Sequence, residues 1–220
     1  MYILFSLLLA CSSDDVVQST TPKVQEKDQL QIEFSGPKII IVGDSLTAGL
    51  GLSTEAAYPT VLTGLMKEVD LPTKIINAGV SGDTTAGGLR RIDWVISQNP
   101  DLILIELGAN DGLRGIPITE VTSNLNDMID KVQSANIDVM LVGMQIPPNY
   151  GKEYAKQFKE VFPQVAQEQG VPLLPFLLKD VAGVRDLNQP DGIHPTAKGH
   201  EIMAKTVYEF LRPWRSKWTE

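Results

Sequence analysis

Short runs of apolar residues alternate along the chain with longer segments in which apolar residues recur every three or four positions. Gly, Asn or Pro bounds each short run, which is typical of buried strands. The runs cover residues 38–42, 74–77, 102–107, 138–142 and 171–174. Because these runs are apolar at successive positions, they predict five strands that are covered on both faces, as in a parallel sheet.

The longer segments predict amphipathic helices between the strands. The clearest apolar stripe combines Ile118, Val121, Leu125, Met128, Ile129 and Val132. Another helix is predicted to begin near Pro59, since proline suits the first helical turn, and others cover 89–96 and 202–211. We expect Pro163 to interrupt a further helix. This alternation predicts one α/β domain, a three-layer α/β/α sandwich with a five-stranded parallel sheet.

The N-terminal segment departs from this alternation. Residues 1–10 form an apolar run that is shorter than the ~20 residues of a membrane-spanning helix, and they predict a signal peptide. The sequence Leu-Leu-Ala before Cys11 resembles the lipobox of bacterial lipoproteins, in which the cysteine is lipidated. Residues 11–37 are polar and predict a flexible tether, followed by a folded domain over 38–215. The alternative is an apolar terminus that is not cleaved.

This pattern predicts a location as well as a boundary. We expect a chain that is anchored in the bacterial cell envelope through lipidated Cys11 and faces the periplasm. If the lipobox is not used, we expect a soluble periplasmic protein instead.

Composition narrows the classes of function. The chain has 27 acidic and 19 basic residues and a formal net charge of −8, which argues against binding to nucleic acid. One cysteine and two histidines cannot complete a zinc site of four Cys or His ligands, and a lone cysteine cannot form an internal disulfide. We expect neither a metal nor an organic cofactor, and a monomer.

Polar residues follow the predicted strands. Gly-Asp-Ser occupies 43–45 after the first strand, Ser-Gly-Asp occupies 81–83 after the second, and Asn-Asp occupies 110–111 after the third, while Asp-Gly-Ile-His occupies 191–194. Each segment alone is ordinary turn or helix-cap chemistry. Since the carboxyl ends of parallel strands meet at one edge of the sheet, where ligands bind, the four segments together predict one site.

The residue types in these segments suit nucleophilic catalysis. Ser45 is the candidate nucleophile and His194 the candidate base, because a histidine side chain has an ordinary pKa near ~6.5. Asp191 lies three residues before His194 and can orient its ring through a turn at the intervening glycine. The backbone amides of Ser45 and Gly82 and the side chain of Asn110 are the candidate donors of an oxyanion hole.

The same segments resemble those of the SGNH hydrolases, also called GDSL lipases and esterases. The resemblance spans about 38–211 and rests on GDSLTAGLG, SGDTT, ELGANDGLRG, PPNYG and DGIHP. The family's four named residues match Ser45, Gly82, Asn110 and His194, with Asp191 as the acidic partner. The motifs are similar to those of the bacterial arylesterase and thioesterase I branch, whose members also act as lysophospholipases. This resemblance implies a flavodoxin-like fold.

The resemblance implies an activity and a substrate pocket. The expected reaction is hydrolysis of carboxylic esters, and of thioesters, of acyl chains through an acyl-serine intermediate. Ile146, Pro147 and Tyr150, after the fourth strand, are expected to wall the acyl pocket, and Asp44 is expected to border the substrate and hold its loop. The alternatives are a carbohydrate O-acetylesterase of the same family and an anchored binding module without catalysis.

Other charged residues are expected to have no direct chemical role. Asp83 is predicted to hold its loop, and His200 to lie on a solvated helix face. The side chains of Arg90, Arg91 and Arg114 are predicted to lie in solvent at helix and loop surfaces, and the alternative is contact with an anionic head group.

Overall fold

The computed structural model describes residues 36–69, 71 and 73–218. The predicted signal peptide, Cys11 and the predicted tether up to residue 35 lie outside the described residues. Among the helices of the described ranges, none is long and apolar enough to cross a membrane.

Five parallel strands form one sheet in the order β2-β1-β3-β4-β5. The strands are β1 (Lys38–Gly43), β2 (Lys74–Gly79), β3 (Leu102–Glu106), β4 (Asp138–Val142) and β5 (Leu173–Leu174). This is the strand order of flavodoxin-like folds, in which the chain reverses direction across the sheet between β1 and β3. The predicted α/β class with a five-stranded parallel sheet is therefore confirmed.

Seven helices in the described ranges follow or separate the strands. They are α1 (Ser45–Ala48), α2 (Tyr58–Lys67), α3 (Thr85–Ser97), α4 (Ala109–Arg114), α5 (Ile118–Ser134), α6 (Lys152–Gln169) and α7 (Ala197–Leu211). Short 3₁₀ turns lie at Thr54–Ala56, Pro148–Tyr150, Arg185–Leu187 and Arg212–Trp218.

The helices form two groups. Helix α2 packs against α7, whereas α3, α5 and α6 pack side by side. Because crossovers between parallel strands are right-handed, the step from β1 to β2 and the opposite steps from β2 to β5 place their helices on opposite faces. The sheet core between the two groups is apolar, and the predicted stripe of α5 is buried from Val121 to Val132.

Two elements that contain or adjoin proline differ from their predictions. Helix α6 continues through Pro163, which was predicted to interrupt it. Proline removes the donor to the Lys159 carbonyl, but both residues are exposed, so water can take the place of that donor. Strand β5 has only two residues, since Pro172 and Pro175 on either side have no N–H to donate to β4.

Candidate active site

A chain of hydrogen bonds joins three predicted site residues at the carboxyl edge of the sheet. The Ser45 Oγ atom lies 2.9 Å from His194 Nε2, although the two residues are 149 positions apart in sequence. The His194 Nδ1 atom lies 2.7 Å from Asp191 Oδ2. With the ring proton on the Nδ1 side, Nε2 presents its lone pair to the serine hydroxyl.

The loop that carries His194 is fixed by its own aspartate. Asp191 Oδ1 accepts hydrogen bonds from the backbone N–H groups of Ile193 and His194, both at 3.0 Å. Gly192, which lies between Asp191 and Ile193, has a φ of 76°, a backbone conformation that favours glycine. The backbone N–H of His194, the side chain of His194 and then the backbone N–H of Ile193 lower the pKa of Asp191 to about 2. Asp191 is therefore ionised at neutral pH and holds the imidazole in one orientation.

Ser45 begins a single helical turn directly after β1. Asp44 caps this turn, since its Oδ1 accepts from the Leu46 N–H at 2.9 Å. Burial raises the pKa of Asp44 to about 6, against the opposing effect of the bonds from Leu46 and Asn110. The second oxygen of Asp44 accepts from Asn110 Nδ2 at 3.1 Å. Asp44 thus holds both helix α1, which carries Ser45, and the side chain of Asn110.

The three candidate oxyanion donors follow neighbouring strands. Ser45 follows β1, Gly82 follows β2, and Asn110 lies in α4 after β3. Gly82 has a φ of 81°, and its carbonyl accepts from Arg114 Nη2 at 2.9 Å. Since β2 and β3 flank β1 in the sheet, the three loops lie side by side. The assignment of these groups to an oxyanion hole stays a prediction.

Arg91, which was predicted to lie in solvent, is partly buried and holds these loops together, whereas Arg90 and Arg114 are exposed as predicted. Arg91 donates to the carbonyls of Ala78 at 2.8 Å and Gly43 at 3.1 Å, and to Asp83 Oδ2 at 2.8 Å. It therefore ties together the ends of β1 and β2. The side chain of Arg114 binds the Gly82 carbonyl. The signal for Arg91 was its place four residues after Gly87 and four before Val95, which are both on the buried stripe of α3.

An apolar cavity of about 240 Å³ opens beside Ser45 and His194. Asp44, Ile146 and Pro147, three of the four residues expected to border the substrate, line this cavity. Tyr150 is not among the lining residues, and its side chain is 45% exposed. The remaining apolar lining includes Leu46, Leu113, Met144, Phe176, Leu178 and Ala182.

A buried network of hydrogen-bonded residues, which was not predicted from the sequence, lies beneath α1. Thr47 Oγ1 donates to Glu106 Oε2 at 2.6 Å and accepts from the Tyr58 hydroxyl at 2.8 Å. The Tyr58 N–H donates in turn to His200 Nδ1 at 3.0 Å. This arrangement links β3, α1, α2 and α7.

The prediction that His200 lies on a solvated helix face is wrong. Its side chain is 1% exposed, and burial, with a smaller effect of His194, lowers the pKa of His200 to about 4. His200 is therefore neutral at pH 7, with Nδ1 as an acceptor. The missed signal was its spacing from Met203 and Val207, which places it on the buried stripe of α7.

The fold and the site define a class of protein. The Ser45 hydroxyl, the His194 imidazole and the ionised Asp191 carboxylate form a hydrogen-bonded chain at the carboxyl edge of a parallel sheet, next to an apolar cavity. This arrangement suits acyl transfer through a serine. Among the described residues, no cluster of three or more His, Cys, Asp or Glu side chains is placed to hold a metal ion. The molecule is a serine hydrolase of the parallel α/β type.

The chain belongs to the GDSL-like lipase/acylhydrolase family, whose model matches residues 41–202. It is 39% identical to an arylesterase of Vibrio mimicus, over 79% of this chain and 88% of that protein. It is 36% identical to the thioesterase 1/protease 1/lysophospholipase L1 of Escherichia coli strain K12, over 80% of this chain and 83% of that protein. The structure matches the crystal structure of esterase EstA from Pseudoalteromonas sp. inhibited by monoethylphosphonate, with a TM-score of 0.79, 38% identity and coverage of 82% and 99%.

Proposed function

We propose that this enzyme hydrolyses carboxylic esters of acyl chains, and thioesters, through an acyl-serine intermediate on Ser45. The observation that carries the proposal is the hydrogen-bonded chain of Ser45, His194 and Asp191 at the mouth of an apolar cavity. The names of the similar proteins, an arylesterase and a thioesterase 1/lysophospholipase L1, support ester and thioester substrates. Inhibition of the similar esterase EstA by monoethylphosphonate supports a nucleophilic serine, since a tetrahedral phosphonate resembles the tetrahedral intermediate of acyl transfer to a serine.

Acylation starts with the attack of Ser45 Oγ on the carbonyl carbon of the ester. The serine proton moves to His194 Nε2 as the carbon–oxygen bond forms, and the carbonyl electron pair moves to the oxygen. Asp191, ionised and bound to Nδ1, stabilises the imidazolium that results. The amides of Ser45 and Gly82 and the Asn110 side chain are the proposed donors to the oxyanion.

The tetrahedral intermediate then collapses with loss of the alcohol or thiol. The imidazolium of His194 returns its proton to the leaving group, and the acyl group stays on Ser45 Oγ. A water molecule takes the place of the alcohol, and His194 Nε2 removes its proton as it attacks. The second collapse releases the carboxylic acid and restores the serine hydroxyl.

The apolar cavity is the proposed site of the acyl chain. Ile146 and Met144 on one side and Leu46 near Ser45 provide apolar surface within the same cavity as the nucleophile. No tryptophan is among the lining residues, and Trp94 on α3 is 59% exposed. This composition favours an acyl chain over a stacked sugar, so the carbohydrate O-acetylesterase remains the second candidate.

The experiment that tests the proposal labels the nucleophile with a fluorophosphonate and locates the adduct by mass spectrometry. We expect one adduct on Ser45 in the wild-type enzyme, and none in the Ser45→Ala variant, which should also lose p-nitrophenyl ester hydrolysis. Ser53→Ala is the matched control, since Ser53 is exposed and makes no capping hydrogen bond. An adduct on another serine, or a Ser45→Ala variant that keeps most of its activity, contradicts the proposal. A passive binding module would give no pre-steady-state burst of p-nitrophenol.

We also propose that Cys11 anchors the mature chain in the bacterial cell envelope, facing the periplasm. The support is the apolar run at 1–10 and the Leu-Leu-Ala sequence before Cys11. Because the net charge is −8, electrostatic attraction to anionic lipid cannot replace the acyl chains as the proposed anchor.

Metabolic labelling with a clickable palmitate tests the anchor in a bacterium that expresses the chain with a complete signal sequence. We expect label on the wild type, a mature chain that begins at Cys11, and neither feature in Cys11→Ser. An unlabelled wild type with a mature N-terminus elsewhere contradicts the anchor and favours a soluble periplasmic enzyme.

A further inference from the structure

Glu106 is a buried acid that the proposed reaction does not use. It is the last residue of β3 and the register partner of Gly43 on β1, and its side chain has 0% exposure. Its Oε2 atom accepts from Thr47 Oγ1 at 2.6 Å. Its Oε1 atom is buried and has no hydrogen-bond partner among the described residues.

We propose that Glu106 is a positioning residue for Ser45, and that it acts as a neutral carboxylic acid which holds Thr47 and thereby helix α1. The inference rests on the proposed role of Ser45 as the nucleophile. Glu106 does not line the cavity and lies on the side of α1 that is turned to the core, so it acts through Thr47 and not on the substrate.

Helix α1 needs such an anchor because it is a single turn. It spans four residues, Ser45–Ala48, and one isolated turn is unstable without tertiary contacts. Thr47 supplies three hydrogen bonds of this kind, since its hydroxyl binds Glu106 and Tyr58 and its carbonyl accepts from Asn77 Nδ2 at 2.8 Å. Thr47 is two residues after Ser45, so a shift of Thr47 moves both the nucleophile and its backbone amide.

The fit around the carboxyl group leaves little room for such a shift. A Cβ atom on residue 43 would overlap with the Glu106 carboxyl oxygen and with the Thr47 hydroxyl. The carboxyl group therefore packs against the backbone of Gly43, immediately before the segment that carries Ser45. Removal of the carboxyl group would open space beneath the nucleophile turn.

The surroundings of Glu106 favour the neutral acid. The ionisable groups that face it are Asp44 at the start of α1, Tyr58 on α2 and, behind Tyr58, His200 on α7. Arg91 on α3 binds the neighbouring Gly43 carbonyl but is paired with Asp83. No described residue forms an ion pair with Glu106, and an unpaired buried carboxylate is costly.

The pKa of Glu106 follows from the same surroundings. Burial and then the nearby Asp44 raise the pKa of Glu106 well above its usual value, and the Thr47 side chain and the backbone groups of Asp44 and Thr47 oppose them only in part. As a neutral group, Glu106 still accepts the Thr47 hydrogen at Oε2 and needs no counter-charge.

The first arm of the test measures kcat and KM. Glu106→Leu removes the acceptor and Thr47→Val removes the donor, and each should lower kcat by about 10- to 100-fold, since small displacements of a nucleophile cost that much. KM should change little, because neither residue lines the cavity. Glu106→Gln should keep most of the wild-type kcat, because its amide oxygen can accept from Thr47. The double variant should lose no more than the worse single variant, since both single variants remove the Thr47–Glu106 bond and Thr47→Val also removes the bond from Tyr58.

Val132→Ala is the control for general loss of stability in this arm. Val132 is fully buried on α5, away from Glu106 and the cavity, so its truncation should destabilise the fold without lowering kcat at a temperature where the variant is folded. The positioning role is overturned if Glu106→Leu keeps the wild-type kcat, or if Glu106→Gln loses as much as Glu106→Leu. If Glu106→Leu does not fold, Thr47→Val and Glu106→Gln decide by the same criteria.

The second arm measures the unfolding equilibrium constant against pH and does not depend on activity. Between the ordinary pKa of glutamate and its raised value in the folded state, the folded chain keeps one proton that the unfolded chain releases. The unfolding constant of the wild type should therefore rise, relative to Glu106→Gln, by up to about tenfold per pH unit above pH ~4.5. A ratio that does not change with pH overturns the neutral acid. Activity of the Ser45→Ala variant would instead overturn the proposed function and leave this arm unaffected.

Discussion

Asn110 gives one hydrogen of its side-chain amide to the protein and leaves the second without a partner among the described residues. The bond to Asp44 at 3.1 Å fixes the plane of the amide next to the cavity that Ser45 borders. Because the amide is already held, no ordering of this side chain is needed when charge develops on the substrate oxygen. Such preorganisation is what makes an oxyanion donor effective.

Asn110→Ala should therefore lower kcat by about 10²–10³ at saturating substrate, the usual effect of losing one oxyanion donor. The measurement is steady-state hydrolysis of a p-nitrophenyl ester. Asn126→Ala on α5 is the control and should keep the wild-type kcat, since Asn126 does not line the cavity. A loss of less than about threefold for Asn110→Ala would remove this residue from the oxyanion hole.

Burial of His200 should make the stability of the fold sensitive to acid. The pKa of His200 is lowered to about 4 in the folded state by burial, whereas an unfolded histidine has its ordinary value near 6.5. Between these values the unfolded chain binds the extra proton, so the folded state loses stability as the pH falls. The free energy of unfolding should decrease by up to ~1.4 kcal/mol per pH unit from this group.

Denaturant titrations of the wild type and of His200→Gln between pH 8 and pH 4 measure this contribution. The difference between the two free energies of unfolding should be constant above pH 7 and should shift in favour of the variant toward pH 4. Parallel pH profiles for the two proteins would show that His200 is not the group responsible.

At the scale of elements, helix α1 packs closely against one glycine on each of two strands. Gly43 on β1 and Gly79 on β2 each approach this turn where a side chain would not fit. A Cβ atom on residue 79 would overlap with Ala48 N and would lie 2.8 Å from the Thr47 carbonyl carbon. Because backbone atoms form this contact, only a movement of α1 or of β2 could relieve it.

Gly79→Ala should therefore lower the free energy of unfolding by about 1–3 kcal/mol, the usual cost of overpacking, and should lower kcat through the displaced Ser45. Denaturant titration and ester hydrolysis measure the two effects. Gly64→Ala is the matched control, because no atom lies within 4 Å of its added Cβ and it lies inside α2. This control should gain about 0.8–1.0 kcal/mol from helix propensity and keep its kcat. Equal behaviour of the two variants would contradict the close packing of α1.

The elements that could be predicted from the sequence are those whose burial produces a clear apolar pattern, either a continuous run in a strand or a stripe along a helix. Strands β1, β3 and β4 are buried along nearly their full length, and their continuous apolar runs predicted them correctly. Glu106 lies inside one of these runs, and its role was not predicted. A single acid among apolar neighbours does not indicate that its partner is Thr47 on α1. Tyr150 shows the complementary limit, since the loop after β4 has no period that fixes which side chains reach the cavity.

At the scale of the whole molecule, the cavity lies between loops from distant parts of the chain. Leu46 and Leu113 follow β1 and β3, whereas Met144, Phe176 and Leu178 follow β4 and β5. The cavity has a volume of about 240 Å³, and the apolar lining that these loops provide suits the hydrocarbon part of an acyl group.

Leu178→Trp should shorten the acyl chain that the enzyme accepts. The larger side chain would fill part of the cavity, so kcat/KM for a p-nitrophenyl octanoate should fall about tenfold or more relative to the acetate. Leu50→Ala is the control, since Leu50 is exposed and does not line the cavity, and it should leave this ratio unchanged. An unchanged ratio in Leu178→Trp would place the acyl chain elsewhere.

The hydrogen bond between Ser45 and His194 has a consequence for the way this chain folds. It closes a loop of 149 residues, from the end of the first strand to the segment before the last helix. Contacts within α3, α5 and α6 are local, whereas a contact of such sequence separation has a larger loop-closure entropy, so we expect it to form after the helices. During refolding from denaturant, esterase activity should return later than the helical circular dichroism signal, so catalysis reports the last long-range docking step.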